Sequence, residues 1–353
     1  MRLEKRARSS AFALLLAPLG AVLFTLLVSA LLVLWAGAAV TQTYALLLQG
    51  GFGSVLALSE TLTRAIPLIL TGLAATVAFK ARLFNIGGEG QLYVGALAAV
   101  AVGGLHGGTG FVLPPYLLFV LMMLAAALAG ALLLLGPTLM KVKLGVDEVV
   151  TTLLLNFIVL LLVSLLLDGP MKDPAAMGWP QSVALMSELE LSKLIPQTRV
   201  HTGLLWGCVL SVGLWVLLKY TVLGFDIRAV GAGARAAAFA GISVTRTMVL
   251  VAMLSGALAG LAGAIEVAGR TSYLTLDMSP GYGYAGIVIA MLAALHPLGV
   301  LAASVFVAGV LVGADSMSRA VGVPTYIADV IVAASLISVL VATLLTQYRV
   351  RRK

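Results

Sequence analysis

Apolar runs of roughly twenty residues follow one another along this sequence, and its charges collect in the short connectors between them. A helix of that length covers the roughly 30 Å hydrocarbon core of a bilayer. Only 10% of the 353 residues are charged and 61% are hydrophobic, whereas about 25% of an ordinary soluble domain is charged. Too little charge remains to clothe a water-facing surface. The expected fold class is therefore an all-α polytopic membrane protein, a single transmembrane domain over residues 1–353 with no soluble catalytic domain.

Gaps between charges and the Gly/Pro punctuation place spans near 11–36, 62–79, 90–106, 112–139, 149–167, 203–220, 247–268, 283–296, 298–316 and 326–347, ten transmembrane helices in all. The last pair before the C-terminal span is separated only by His296 and Pro297, which fits a tight turn, a short hairpin or a re-entrant pair. Thr41–Glu60 is amphiphilic and broken by glycine, and reads as a segment along the interface. The N-terminal MRLEKRARSS resembles the start of a signal peptide. The apolar stretch behind it is too long for one, so an uncleaved first helix is expected. Four further spans in 62–167 and four in 247–347 would, if the blocks are related, make an inverted repeat.

The basic residues orient these spans. With both termini in the cytoplasm of an inner-membrane protein, 16 of the 22 Lys and Arg residues fall inside, leaving Arg64, Lys172, Lys193, Arg199, Arg270 and Arg319 outside. That is the bias of the positive-inside rule. It also accounts for the formal net charge of +8 without nucleic acid, because the charges are scattered rather than gathered on one face. Two long loops result, an extracytoplasmic one at 168–199 and a cytoplasmic one at 222–245. The stretch Arg235–Gly241, RAAAFAG, has enough alanine for a short helix.

The most informative polar segment is Leu83–Gly95, LFNIGGEGQLYVG, which brings Asn85, Glu89 and Gln91 to the mouth of an apolar span. A carboxylate near hydrocarbon needs a partner or a wet cavity. Two readings are open: a translocation element, or a polar cap in which Glu89 favours a helix N-terminus. A cap reading also suits Gly145–Glu148. Behind it, Thr152 and Asn156 share a helix face at i,i+4 spacing and either line a pathway or join helices. Glu266 ends its span beside Gly269, and Asp277, Asp315 and Asp329 fall at span ends, where water is a sufficient partner. Ser255, Gly256, Gly260 and Gly263 read as close helix packing. No Walker motif or His/Glu metalloprotease motif occurs, and Cys208 is the single cysteine, so a disulfide framework or a cysteine metal cluster is excluded.

FNIGGEGQLYVGA at Phe84–Ala96 and GVDEVVTTLLLNFI at Gly145–Ile158 closely resemble the permease subunits of ABC importers for nucleosides, within the branched-chain amino acid/ribose (simple-sugar) permease family. The resemblance continues through GPMKDP at Gly169–Pro174, GFDIRAVGAGARAAAFAGI at Gly224–Ile242 and MSPGYGYAGIVIAMLA at Met278–Ala293. It implies a second permease subunit, a cytoplasmic ABC ATPase and an extracytoplasmic solute-binding lipoprotein as partners, besides the lipid bilayer. It implies no cofactor on this chain, with ATP and magnesium handled by the ATPase, so the chain is expected not to be an enzyme. The family's ATPase-coupling region maps onto Arg228, Arg235, Ala237, Phe239 and Arg246. The sequence departs from the family's commoner residues at Asp147 (Asn) and at Gly233-Ala234 (Asn-Pro), the second making the coupling loop less rigid. The candidates for the translocation pathway are Asn85, Glu89, Gln91, Thr152 and Asn156, with Glu89 expected to hold the local backbone by pairing or by capping the following helix. Rival classes are a simple-sugar permease of the same kind, an ion-driven secondary transporter and an assembly protein. The coupled charged pairs that an ion-driven pump needs are not evident in the apolar runs.

Overall fold

In the computed structural model, residues 39–104 and 113–321 are described continuously, together with shorter pieces of the terminal regions such as 2–5, 27–31, 33–35 and 348–351. In chain order the elements are β1 (Arg2–Lys5), α1 (Val40–Phe52), α2 (Val55–Lys80), α3 (Gly88–Gly103), α4 (Pro115–Leu144), α5 (Glu148–Asp168), α6 (Gly203–Tyr220), α7 (Val222–Ala232), α8 (Ala234–Phe239), α9 (Val244–Glu266), α10 (Tyr282–Leu292), α11 (Pro297–Val321) and β2 (Tyr348–Arg351). A five-residue π-helical turn, Val267–Thr271, prolongs α9. The chain divides into two compact units, 62–304 and the terminal segments 1–61 with 305–353.

The count of ten spans is corrected by this architecture. Among the described residues six helices are long and apolar enough to cross a membrane: α2, α4, α5, α6, α9 with its π turn, and α11. A seventh is added if Leu27–Trp35 and α1, bent by 112° at their break, form one span. Gaps between charges measure apolar length, not helix length. The run near 90–106 is wound into only 16 helical residues, α3. The run near 283–296 becomes the 11-residue α10, about 16 Å long at 1.5 Å per residue and too short to cross alone. The inverted repeat goes with the count: among the described residues the block 62–167 holds three such helices and 247–347 holds two. The expected spans near 11–36 and 326–347 lie largely outside the described residues, as do His106 and Asp329. Asp315, read as ending a span, lies inside α11.

Within 62–304 the core is a seam of helices drawn together by small residues. α3 runs through its centre, with Leu92, Tyr93, Ala96 and Ala99 all buried. A Cβ on Gly95 would collide with the Gly260 carbonyl of α9, and one on Gly130 of α4 with the Gly256 carbonyl. Hydrogen at these positions lets the backbones of three helices touch, and van der Waals contact at that distance holds apolar helices together where lipid removes the hydrophobic drive. Around this seam α5 and α6 turn Leu154, Phe157, Leu161, Leu205, Trp206 and Val209 outward, toward lipid when a bilayer surrounds them.

In the other unit α1 meets the second half of α11 through the same device. The Leu47 carbonyl lies where a Cβ on Gly313 would be, and the Phe52 ring covers Gly309. β1 pairs antiparallel with β2, Arg2 opposite Arg351, which joins the two ends of the chain.

Candidate functional site

The connector between α2 and α3 begins with Arg82 in the left-handed region (φ 57°) and then buries Leu83, Asn85, Glu89 and Gln91. Irregular backbone in an apolar surround must find partners for its amides and carbonyls. Here side chains supply them. Asn85 and Gln91 exchange two amide bonds, both 2.9 Å. Asn85 donates also to Ser255 Oγ at 3.1 Å and accepts from Gly87 N at 2.9 Å. From α5, Thr152 Oγ1 accepts from Ile86 N at 3.2 Å. Asn156 accepts from Gly90 N at 2.8 Å and donates to the Ile86 carbonyl at 2.9 Å and the Tyr284 hydroxyl at 3.0 Å. The structure thus brings all five expected pathway residues into one knot, in which each side chain is bonded to protein.

Glu89 reaches from α3 to the start of α10, where its Oε2 accepts from Gly283 N at 2.6 Å. Backbone amides at a helix start are unpaired donors, and this bond gives the first turn of α10 one of its acceptors. Tyr93 fastens the approach to α10, donating to the Leu276 carbonyl at 2.5 Å and accepting from Ser279 N at 3.3 Å.

On the α4–α5 side a charged clasp closes the connector. Asp147 caps α5 by accepting from Val149 N at 2.8 Å. Glu148 accepts from Phe84 N at 3.1 Å and pairs with Lys141, which also donates to the Arg82 carbonyl at 2.9 Å. The 222–245 segment abuts the same place, because Gly231 of α7 lies so close to the Lys80 carbonyl that a Cβ would strike it. Beyond it α8 turns Arg235 outward and leaves Phe239 97% exposed, while Ala237 is buried; Arg228 and Arg246 are also exposed.

The sequence reading overlooked a second polar centre. Glu266, read as a span end, is fully buried and pairs with Arg270 one turn on, inside the π turn. The Arg64 charge bears on it as well. Arg270 donates to the Met278 carbonyl at 3.1 Å, and His201 lies against Gly269. The only signal in the sequence is a Glu and an Arg four apart at the close of an apolar run. Burial, with the Arg270 charge behind it, pushes the His201 imidazole down to about 4. The ring is therefore neutral at pH 7, and its Nδ1 accepts from Gly203 N at 3.2 Å. The 168–202 loop is tied over the π turn by Leu191 N to the Ala268 carbonyl (2.8 Å), Leu185 N to the Ser272 carbonyl (2.7 Å) and Ser182 N to the Leu274 carbonyl (3.0 Å). Among the described residues no group of His, Cys, Asp and Glu is arranged to hold a metal ion.

Residues 57–340 match the family described as branched-chain amino acid transport system / permease component. The guanosine ABC transporter permease protein NupP of Bacillus subtilis is 35% identical over 321 residues, covering 90% of this chain and 91% of that protein. The glucose ABC transporter permease protein TsgB13 of Haloferax volcanii is 37% identical over 303 residues, 83% of this chain and 78% of that one. The nucleoside ABC transporter permease protein NupB of Lactococcus lactis is 30% identical over 332 residues, covering 90% and 88%. No solved structure matches. A chain whose described residues include six helices long and apolar enough to cross a membrane, matched over 83–90% of its length by such permeases, belongs to the branched-chain amino acid transport system permease family and is a transmembrane permease subunit of an ABC importer.

Proposed function

We propose that this subunit moves nucleosides across the inner membrane, working with a second permease subunit, a cytoplasmic ATPase and an extracytoplasmic solute-binding lipoprotein. The observation that carries the reading is similarity along nine-tenths of both chains to a guanosine permease. The site's chemistry supports it: the buried polar groups are mainly amides and hydroxyls, suited to a neutral solute rich in hydrogen-bond groups. Asn85, Glu89, Gln91, Thr152 and Asn156 act on the passage by holding the wall that forms it. A simple-sugar importer is the second reading, favoured by the resemblance to the glucose permease.

Orientation follows the positive-inside bias, with both termini and α7–α8 in the cytoplasm and 168–199 outside. Pairing of β1 with β2 supports both termini on one face. In this arrangement the ATPase grips α8 through Phe239 and its flanking arginines. Because α7 abuts Lys80, its movement is delivered to the connector and from there to the start of α3. The test is uptake of radiolabelled guanosine into proteoliposomes holding the full set of subunits, competed by glucose and by ribose. Guanosine import resistant to excess sugar is expected. Sugar import without nucleoside import would replace the first reading by the second, and import of neither would overturn both.

A further inference from the structure

Glu266 is bonded through one oxygen only. Its Oε1 pairs with Arg270, while Oε2 is buried and accepts no hydrogen bond among the described residues. His201 shows the complementary condition. Its neutral ring accepts at Nδ1, so the proton sits on Nε2, which is buried and has no acceptor among the described residues. The two orphans belong to the same turn: Glu266 is its first capping residue and the His201 ring lies over Gly269 within it. A buried polar atom without a partner forfeits the hydrogen bonds it had in water and is costly. An orphaned acceptor at the start of the π turn and an orphaned donor packed against it therefore require a physical account, and π turns occur frequently at functional sites.

We infer that Glu266 and His201 form a recognition site for a vicinal diol, closed in this structure by residues 182–191, whose backbone is tied over the π turn. This rests on the nucleoside-or-sugar reading and names the part of the solute that the chain contacts. Each hydroxyl of a diol donates and accepts, so one gives its proton to Glu266 Oε2 and the other accepts from His201 Nε2. Arg270 holds Glu266 through Oε1, leaving Oε2 to the solute, and is itself anchored by the Met278 carbonyl. An acceptor-only group such as a phosphate satisfies His201 but offers no donor to Glu266 Oε2. Ribose and glucose both carry adjacent hydroxyls, so one site serves either solute. Entry requires residues 182–191 to withdraw while His201 stays at the start of α6, which breaks the Leu185 and Leu191 backbone bonds and the 2.5 Å bond from Ser272 Oγ to Glu190. On the proposed orientation this lies at the extracytoplasmic end of α9, where a released solute first meets the permease.

The experiment is saturation-transfer NMR on the complete permease–ATPase complex in nanodiscs, without solute-binding protein. Guanosine is compared with 2′,3′-dideoxyguanosine, which lacks the diol. Saturation of the guanosine ribose protons is expected, at least tenfold stronger than that of the dideoxy sugar. Glu266→Gln should lower the guanosine signal about tenfold and leave that of the dideoxy compound unchanged. Glu266→Asp, which keeps the charge for Arg270 but withdraws the second oxygen, should behave likewise and serves if the Gln variant fails to assemble. Equal signals from the two nucleosides in wild type, or no ribose saturation at all, would overturn the inference without any variant. So would a wild-type guanosine signal in an assembled variant. Failure of the nucleoside-or-sugar reading is seen separately, as absence of guanosine and sugar uptake in proteoliposomes.

Discussion

Asn156→Leu tests whether the knot around the α2–α3 connector holds this fold together. Asn156 is fully buried, and its amide serves three partners on two other segments. Leucine matches its size but removes both the donor and the acceptor. The Tyr284 hydroxyl is partly exposed and turns to other partners. The Gly90 amide and the Ile86 carbonyl are left without a bond in an apolar surround. At about 1–3 kcal/mol for each stranded group, the expected loss is about 2–6 kcal/mol. Unfolding free energy from SDS titration of the purified permease measures it. Phe157→Leu, one position along and facing outward, is the control and should stay within about 0.5 kcal/mol of wild type. An Asn156→Leu variant as stable as that control would refute the claim that these bonds carry the connector.

Three further outcomes are expected. Gly95→Ala drives a methyl into the Gly260 carbonyl and should destabilise by about 1–3 kcal/mol, whereas Gly136→Ala, with open space around it, should be neutral or stabilising in thermal melts. His201 binds a proton in the unfolded chain near 6.5 but in the folded one only near 4. Its contribution to stability is therefore full above pH 6.5 and lost as pH falls toward 4, up to about 3 kcal/mol; His201→Gln should flatten that limb of a stability–pH curve. Ala237→Pro, which clashes with the turn before it, and Phe239→Ala, which removes an exposed anchor, should both abolish solute-stimulated ATP hydrolysis while leaving membrane insertion intact, as read by fractionation and phosphate release.

What could be read from sequence follows the range of each interaction. α2, α4, α5, α6, α9 and α11 declare themselves by apolar length, a local property. α3 and α10 do not, because glycines and the extended stretch 272–281 shorten the helices without adding charge. Asn85, Glu89 and Gln91 stood out as polar groups in apolar company, yet Ser255, Gly283 and Tyr284, which answer them or complete their network, lie far along the chain. No periodicity links such positions. Gly256, Gly260 and Gly263 were legible as packing residues by spacing, though the facing Gly95 and Gly130 were not. Glu266 and Arg270 were close enough to be paired by eye, but a charge at the close of an apolar run looks the same whether water or protein lies beyond it.

The fastening of the 168–202 loop has an evolutionary consequence. Besides side-chain bonds at Ser182 and Glu190, three of its ties to residues 268–274 leave from main-chain amides at Ser182, Leu185 and Leu191 and arrive at main-chain carbonyls. Such bonds are indifferent to the side chains at those positions. Exposed neighbours such as Met177, Trp179 and Ile195 are therefore free to drift without loosening the attachment. One lineage can remodel this face to suit a different partner while the framework under it stays constant, so relatives with different cargoes should diverge in this loop first and in the π turn beneath it last.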